Sequence, residues 1–308
     1  MEIKQVELGR SGLHVPNIAV GCMRLNALDR KSAAMLIQTA MEAGANFFDH
    51  ADIYGGGECE RLFADAVGMN AAVREKMILQ TKCGIVPGQR FDFSKEHILH
   101  SVDLSLSRLK TEYLDVLLLH RPDALMEPEE VAEAFTLLKQ SGKVRHFGVS
   151  NQNPYQIQLL SQYLQEPIAV NQLQLSAAFT PMLDAGLNVN TLSDAGINRD
   201  GGVLDFCRLH RITVQAWSPF QYGFFEGCLI DSPKYKELND KLEEIGSNYG
   251  VSKTTMALAW ILRHPAGIVP VIGTMNQARL KECLAASPLR ITRQEWYDIY
   301  LAAGNKLP

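Results

Sequence analysis

Eight short apolar runs constrain this chain more than any other feature. They lie at residues 18–20, 45–48, 77–81, 115–119, 145–149, 168–171, 212–216 and 268–272, and each leads into a segment with helical spacing. Each run is too short for an ordinary helix, and several are continuously apolar, which suits a strand covered on both faces. The segments between them carry the marks of helix ends. Residues 32–43 follow Asp29 and Ser32 as capping side chains and stop at Gly44. Residues 94–109 set Ile98, Val102, Leu106 and Leu109 on one stripe behind a Ser94 cap. Residues 128–141 and 154–164 start at proline, and the first of them stops at Gly142. Helices over 58–67, 202–210, 252–263 and 276–286 complete the alternation.

Eight such units joined by right-handed crossovers close most economically as an α/β (β/α)8 TIM barrel, which needs roughly 250 residues. A chain of 308 residues is then one barrel domain, residues 1–308, with length to spare. A doubly wound open sheet would need a glycine fingerprint after its first strand. The turn here reads VGCMRLNA, so that fold is set aside. The spare length goes to an N-terminal β-hairpin turning between Gly9 and Gly12, to two additional helices at 234–250 and 293–303, and to a long loop over 177–200. That loop lies on the side of a barrel where loops shape substrate pockets.

Charge and composition then exclude several classes. Thirty Lys+Arg against 34 Asp+Glu give a net charge of −4, which argues against a nucleic-acid-binding face. No apolar run reaches the roughly 18 residues of a membrane span, and the first residues lack a signal pattern, so a cytoplasmic protein is expected. The six cysteines are scattered, without a C-x-x-C pair. His97 and His100 have no partner at ligand spacing, and no metal is expected.

The C-terminal ends of the strands are where a barrel places its chemistry. Asp49 ends the second run, with Tyr54 five residues on; Lys82 ends the third and His120 the fourth. Ser150 and Asn151, Asn171 and Gln172, Trp217, and Gly273 and Thr274 end the remaining four. Each has a structural explanation when read alone, Asp49 with Lys82 as a buried ion pair for instance. On three successive strand ends, however, the titratable groups form a working set. Reduction of a carbonyl needs a hydride at carbon and a proton at oxygen. Tyr54 is the candidate acid, its phenol expected to be lowered from about 10 by a Lys82 ammonium that Asp49 would keep charged. His120 would orient the substrate oxygen. An aldolase-like Schiff base on Lys82 is disfavoured, because Asp49 keeps the amine protonated. The glycines Gly55–Gly57 precede no G-K-[ST], and are read as flexibility beside Tyr54 rather than a phosphate cradle.

The segments FDHADIYGGGECE, LQTKCG, DVLLLHRPD, GKVRHFGVSN, VNQ, AWSP and PVIGT together resemble the aldo-keto reductase superfamily, in order and over nearly the whole chain. HADIYG and KCGI look most like its bacterial oxidoreductase branch. The resemblance implies a catalytic tetrad of Asp49, Tyr54, Lys82 and His120. It implies nicotinamide carboxamide contacts from Ser150, Asn151 and Gln172, and a ring stack on Trp217. A loop over the pyrophosphate would span 218–227, including Ser218 and Gly223. Gly273, Thr274, Arg279 and Glu282 would border the adenosine end, with Arg279 and Thr274 on a 2′-phosphate. Three positions depart from the family pattern: Gly273 stands where lysine is frequent, Cys283 where asparagine is common, and His50 where serine or threonine is. NADP(H) remains the expected cofactor through Arg279, and His50 is expected to leave the tetrad undisturbed.

The function expected is therefore NADPH-dependent reduction of aldehydes and ketones, with an NADP-binding regulatory or redox-sensing subunit as the alternative. Met23, Arg24, Arg121, Phe179 and Phe220 are expected around a small carbonyl substrate. The sequence stops at Pro308, soon after the last helix, and a wide, open pocket with broad specificity is the resulting expectation. A monomer is compatible with all of this.

Overall fold

The computed structural model describes residues 2–308. Its centre is a closed barrel of eight parallel strands in chain order. They are β1 (Ala19–Gly21), β2 (Phe47–Asp49), β3 (Ile78–Cys83), β4 (Leu114–Leu119), β5 (Val144–Ser150), β6 (Ile168–Gln174), β7 (Thr213–Trp217) and β8 (Val269–Ile272). The helices that follow them are α1 (Arg30–Glu42), α2 (Glu58–Val67), α3 (Lys95–Leu109), α4 (Pro128–Gln140), α5 (Pro154–Ser161), α6 (Val203–His210), α7 (Lys253–Leu262) and α8 (Gln277–Leu284). The expected (β/α)8 barrel is the fold observed.

Local chemistry explains the element ends. Asp29, Ser94 and Ser252 each accept a backbone N–H in the first turn of α1, α3 and α7, and Asn153 does so within a full capping box at α5. Every residue of β4 is buried, as a strand covered by barrel interior and helices must be. Outward-facing side chains of the strands pack on the helices. Phe147 of β5, for example, stacks on Phe135 of α4 at 4.0 Å. Burying one such side chain stabilises the fold by about 1.5–3 kcal/mol.

Inside the barrel, a second core occupies the N-terminal end. Phe47, Val116, Leu118, Val170, Val269 and Val271 meet Leu8 and Val15 of the N-terminal hairpin, strands Gln5–Glu7 and His14–Pro16. The hairpin thus plugs that end of the barrel. Gly9 sits where a Cβ would lie 2.6 Å from the Ala169 carbonyl oxygen, and its φ is +62°, so only glycine fits this approach.

Four details differ from the sequence reading. The loop over 177–200 contains a helix, Pro181–Leu187, and a 3-10 turn, Asp194–Gly196. The first of the two additional helices is Lys236–Tyr249, led in by a 3-10 turn, and the second is Arg293–Ala302. A four-residue helix, Ala71–Arg74, precedes β3. Two small hairpins, Ile85–Val86 with Arg90–Phe91 and Gln221–Tyr222 with Gly227–Cys228, are built from pairs too short to show a period. No helix among the described residues is long and apolar enough to cross a membrane.

The short helix brings Arg74 into a buried ion pair with Asp115 of β4, Nη2 to Oδ2 at 2.6 Å. Arg74 also donates to the Met77 and Tyr113 carbonyls and to Thr111, while Asp115 accepts from the Leu79 N–H and from Arg145.

Candidate active site

The opposite, C-terminal end of the barrel is polar from its middle layer upward. The register sets Asp49 beside Gln80, and Gln172 beside both Ser150 and Gln215. These side chains knit together across the barrel interior. Gln80 Nε2 donates to Asp49 Oδ1 at 2.6 Å and to Gln215 Oε1 at 2.8 Å. Gln172 Nε2 donates to the same two oxygens at 3.1 and 2.8 Å, and Gln215 Nε2 returns a bond to Gln80 Oε1 at 3.0 Å. Sequence reasoning missed Gln80 and Gln215. The signal was a glutamine inside an apolar strand run, which a doubly covered strand accepts only when its amide is satisfied.

Above this layer, Lys82 is fully buried and fully engaged. Its Nζ donates to Asp49 Oδ1 and Oδ2 at 2.8 and 2.7 Å, to the His50 carbonyl at 2.8 Å and to the Tyr54 hydroxyl at 3.2 Å. Burial alone would push the ammonium pKa down, but the Asp49 carboxylate and the Tyr54 oxygen raise it above the ordinary lysine value. Lys82 therefore stays charged.

Tyr54 behaves differently from the sequence expectation. Burial raises its pKa and outweighs the lowering by Lys82, with Asp49 adding a further rise. The phenol thus holds its proton more firmly than free tyrosine, and Lys82 limits the rise rather than reversing it. His120 meets Tyr54 edge to face, ring centroids 6.1 Å apart. Burial, with Lys82 and Arg121 adding to it, pushes the His120 pKa well below 6.5, so the imidazole is neutral at neutral pH. Its Nδ1 is buried without a partner.

The glycines beside Tyr54 are also not what the sequence suggested. Gly55, Gly56 and Gly57 all have positive φ, and a Cβ at Gly57 would lie 2.6 Å from the Arg108 guanidinium. Arg108 Nη1 donates to the Asp52 carbonyl at 3.1 Å and to Glu60 at 3.4 Å, and Glu60 accepts from Thr81, next to Lys82. Gly57 lets the Tyr54 turn close onto Arg108, and Gly55 lets it approach Asn26. Their positive φ is the backbone conformation that glycine adopts most readily.

A cavity of about 770 Å³ opens above these groups. Asp49, Tyr54 and His120 border one part of it, and Thr274, Arg279 and Glu282 another. Ser150, Asn151, Gln172, Trp217, Ser218 and Gly273 lie along it, as do Met23, Arg24, Arg121 and Phe220. Lys82 sits beneath the lining. Gly223 and Phe179 do not reach the cavity: the Gly223 carbonyl is held by Gln174 Nε2 at 2.6 Å, and Phe179 is tied by backbone bonds to Ser176. Phe224 and Phe225, at the tip of the 221–228 hairpin, line the cavity although neither was singled out from the sequence. His50 is buried with both ring nitrogens unpartnered and packs edge-on against Phe63. His97 and His100 join no cluster of metal-ligating side chains, and no such cluster of three or more occurs among the described residues.

Asn151 Nδ2 donates to Ser150 Oγ at 2.7 Å, and Trp217 Nε1 donates to Asn151 Oδ1 at 3.1 Å. Amide and hydroxyl groups of this kind suit a carboxamide. At the other end, the N-terminus of α8 is capped by Asn276, with Thr274 and Arg279 beside it, a set that suits a phosphate. The volume lies within the range of about 300–1,000 Å³ usual for ligand and cofactor sites.

Comparison with known proteins gives a consistent result. The model of the aldo/keto reductase family matches residues 17–301. An uncharacterized oxidoreductase, YcsN of Bacillus subtilis (strain 168), is 38% identical, the match covering 96% of this chain and 97% of that protein. A 6-dehydroglucose reductase of Novosphingobium aromaticivorans is 37% identical, covering 98% and 96%. Among solved structures, the thermostable aldo-keto reductase Tm1743, crystallised with the inhibitor epalrestat, superposes with a TM-score of 0.78 at 26% identity, covering 97% of this chain and 100% of that one.

Proposed function

This chain belongs to the aldo/keto reductase family, and we propose that it is an NADPH-dependent reductase of aldehydes and ketones in which Tyr54 donates the proton. The observation that carries this reading is the bond from Lys82 Nζ to the Tyr54 hydroxyl at 3.2 Å, with Asp49 behind Lys82 and the cavity in front of Tyr54. Bound in that cavity, the nicotinamide cofactor supplies the hydride.

The residues present fit such a cofactor. Ser150, Asn151 and Gln172 offer donors and acceptors for a carboxamide, and Trp217 offers an aromatic face. Thr274, Arg279 and the first turn of α8 suit a 2′-phosphate, which favours NADP(H) over NAD(H). The chain's own part in the reaction follows from its electrostatics. His120, neutral, orients the carbonyl oxygen toward the Tyr54 hydroxyl. The raised pKa keeps Tyr54 protonated until negative charge develops on that oxygen, and the proton then moves from Tyr54 Oη. Lys82 stabilises the phenolate left behind, and Asp49 holds Lys82 in place and charged.

The test is NADPH consumption over a panel of aldehydes and ketones by the wild type and Tyr54→Phe. A general acid contributes about 10²–10⁴-fold, so the variant should lose that much while keeping its thermal unfolding profile. Equal rates in the two proteins would overturn the role of Tyr54. Arg279→Gln should narrow the preference for NADPH over NADH, and an unchanged preference would remove Arg279 from the phosphate site.

A further inference from the structure

Arg121 follows His120 directly and borders the same cavity. Its guanidinium carbon lies 5.5 Å from the ring centres of both Trp217 and Phe224. Rings at that distance hold a cation in place without neutralising it. The side chain is half-buried, and among the described residues no carboxylate pairs with it. Of the acids lining the cavity, Asp49 is taken by Lys82 and Asp231 by Lys253, while Glu282 stands on α8. In an eight-stranded barrel β8 lies opposite β4, so α8 and its Arg279 are across the cavity from Arg121.

A half-buried guanidinium without a counterion has lost part of its hydration, which an anionic ligand would repay. Its planar fork matches a carboxylate in two parallel bonds. We propose that Arg121 binds an anionic group of the substrate, so that the carbonyl compounds this site prefers are oxo-acids carrying a carboxylate beyond the reacting carbon. This rests on the reductase reading above and narrows it. The cavity then has two anion positions: Arg279 toward the cofactor phosphate, and Arg121 at the reacting end. Burial lowers the Arg121 pKa, with Tyr54 acting in the opposite sense, in keeping with a partly buried cation beside the phenol.

The experiment compares para-carboxybenzaldehyde with its methyl ester, a pair differing in charge at one position. In the wild type kcat/KM should favour the acid. Arg121→Met, which keeps much of the side-chain length, should reduce the acid-to-ester ratio at least tenfold, mainly through KM, and Arg121→Lys should recover part of it. A ratio unchanged in Arg121→Met overturns the proposal. Binding of the same two compounds, measured by calorimetry without cofactor, decides the matter independently of turnover. Should no carbonyl be reduced, the reductase reading fails, yet an acid preference lost in Arg121→Met still supports the anion site. Equal binding of acid and ester by the wild type overturns it.

Discussion

Arg74–Asp115 and Lys82–Asp49 are both buried ion pairs anchored on barrel strands, with nitrogen–oxygen distances of 2.6 and 2.7 Å. They differ in where the remaining hydrogen bonds go. Arg74 spends the rest of its donors on two backbone carbonyls and a threonine, and the Tyr113 ring lies 3.8 Å from its guanidinium carbon. Asp115 is closed off by the Leu79 N–H and Arg145. Lys82 instead gives one of its contacts to a phenol at the floor of a cavity. Burial and pairing alone therefore do not separate a structural pair from the one that the proposed reaction uses. The direction of the last donor does.

That comparison can be broken by experiment. Lys82→Met should show the largest effect: loss of about 100-fold or more in turnover, together with about 3–5 kcal/mol of stability, because Asp49 is left buried and unpaired. Arg74→Met should cost less, about 1–3 kcal/mol, because Asp115 keeps Arg145 and the Leu79 N–H while the Met77 and Tyr113 carbonyls lose a donor, with kcat per folded molecule unchanged. Urea unfolding and kinetics on each variant check this, and a rate loss in Arg74→Met without lost stability would erase the distinction. Gln215→Leu removes the acceptor shared by Gln80 and Gln172, and should cost about 1–3 kcal/mol in the same unfolding measurement. An effect confined to acid pH concerns His50, whose carbonyl serves Lys82 and whose ring makes no hydrogen bond and packs on Phe63. Burial, with Lys82 adding to it, lowers its pKa to about 3, below the roughly 6.5 of an unfolded histidine. The unfolded state thus takes up a proton that the folded state refuses. Relative to His50→Thr, the wild type should lose up to about 1.4 kcal/mol per pH unit as pH falls from roughly 6.5 toward 4, and should show no such slope above about pH 7.

Much of this arrangement was legible in the sequence. The strand runs stood out because parallel strands covered on both faces are apolar throughout; Asp49, Lys82 and His120 stood out because they end such runs, and Tyr54 because it follows Asp49 by five residues. The helix Pro181–Leu187 did not, since seven residues establish no period, and neither did hairpins built from two-residue strands. The direction of the Tyr54 shift was also out of reach. Sequence shows that a lysine is available nearby, but not how much water the folded chain removes from the phenol. Gln80 and Gln215 were overlooked for the opposite reason: the partners of Gln80 sit on strands 31 and 135 residues away. The Gly55–Gly57 turn was read as loose because its tight contact, Arg108, comes from α3.

The plug at the N-terminal end of the barrel has a consequence for how the molecule is made. Gly9 N–H bonds Thr213, 204 residues later, and Lys4 N–H bonds Ser287, 283 residues later. Asn17 is likewise held by Ser287. The hairpin precedes in the chain the residues that seat it, which lie as far on as Thr213 and Ser287. Contacts of such sequence separation carry a large loop-closure cost, so docking of the hairpin depends on the strands beneath it being in place.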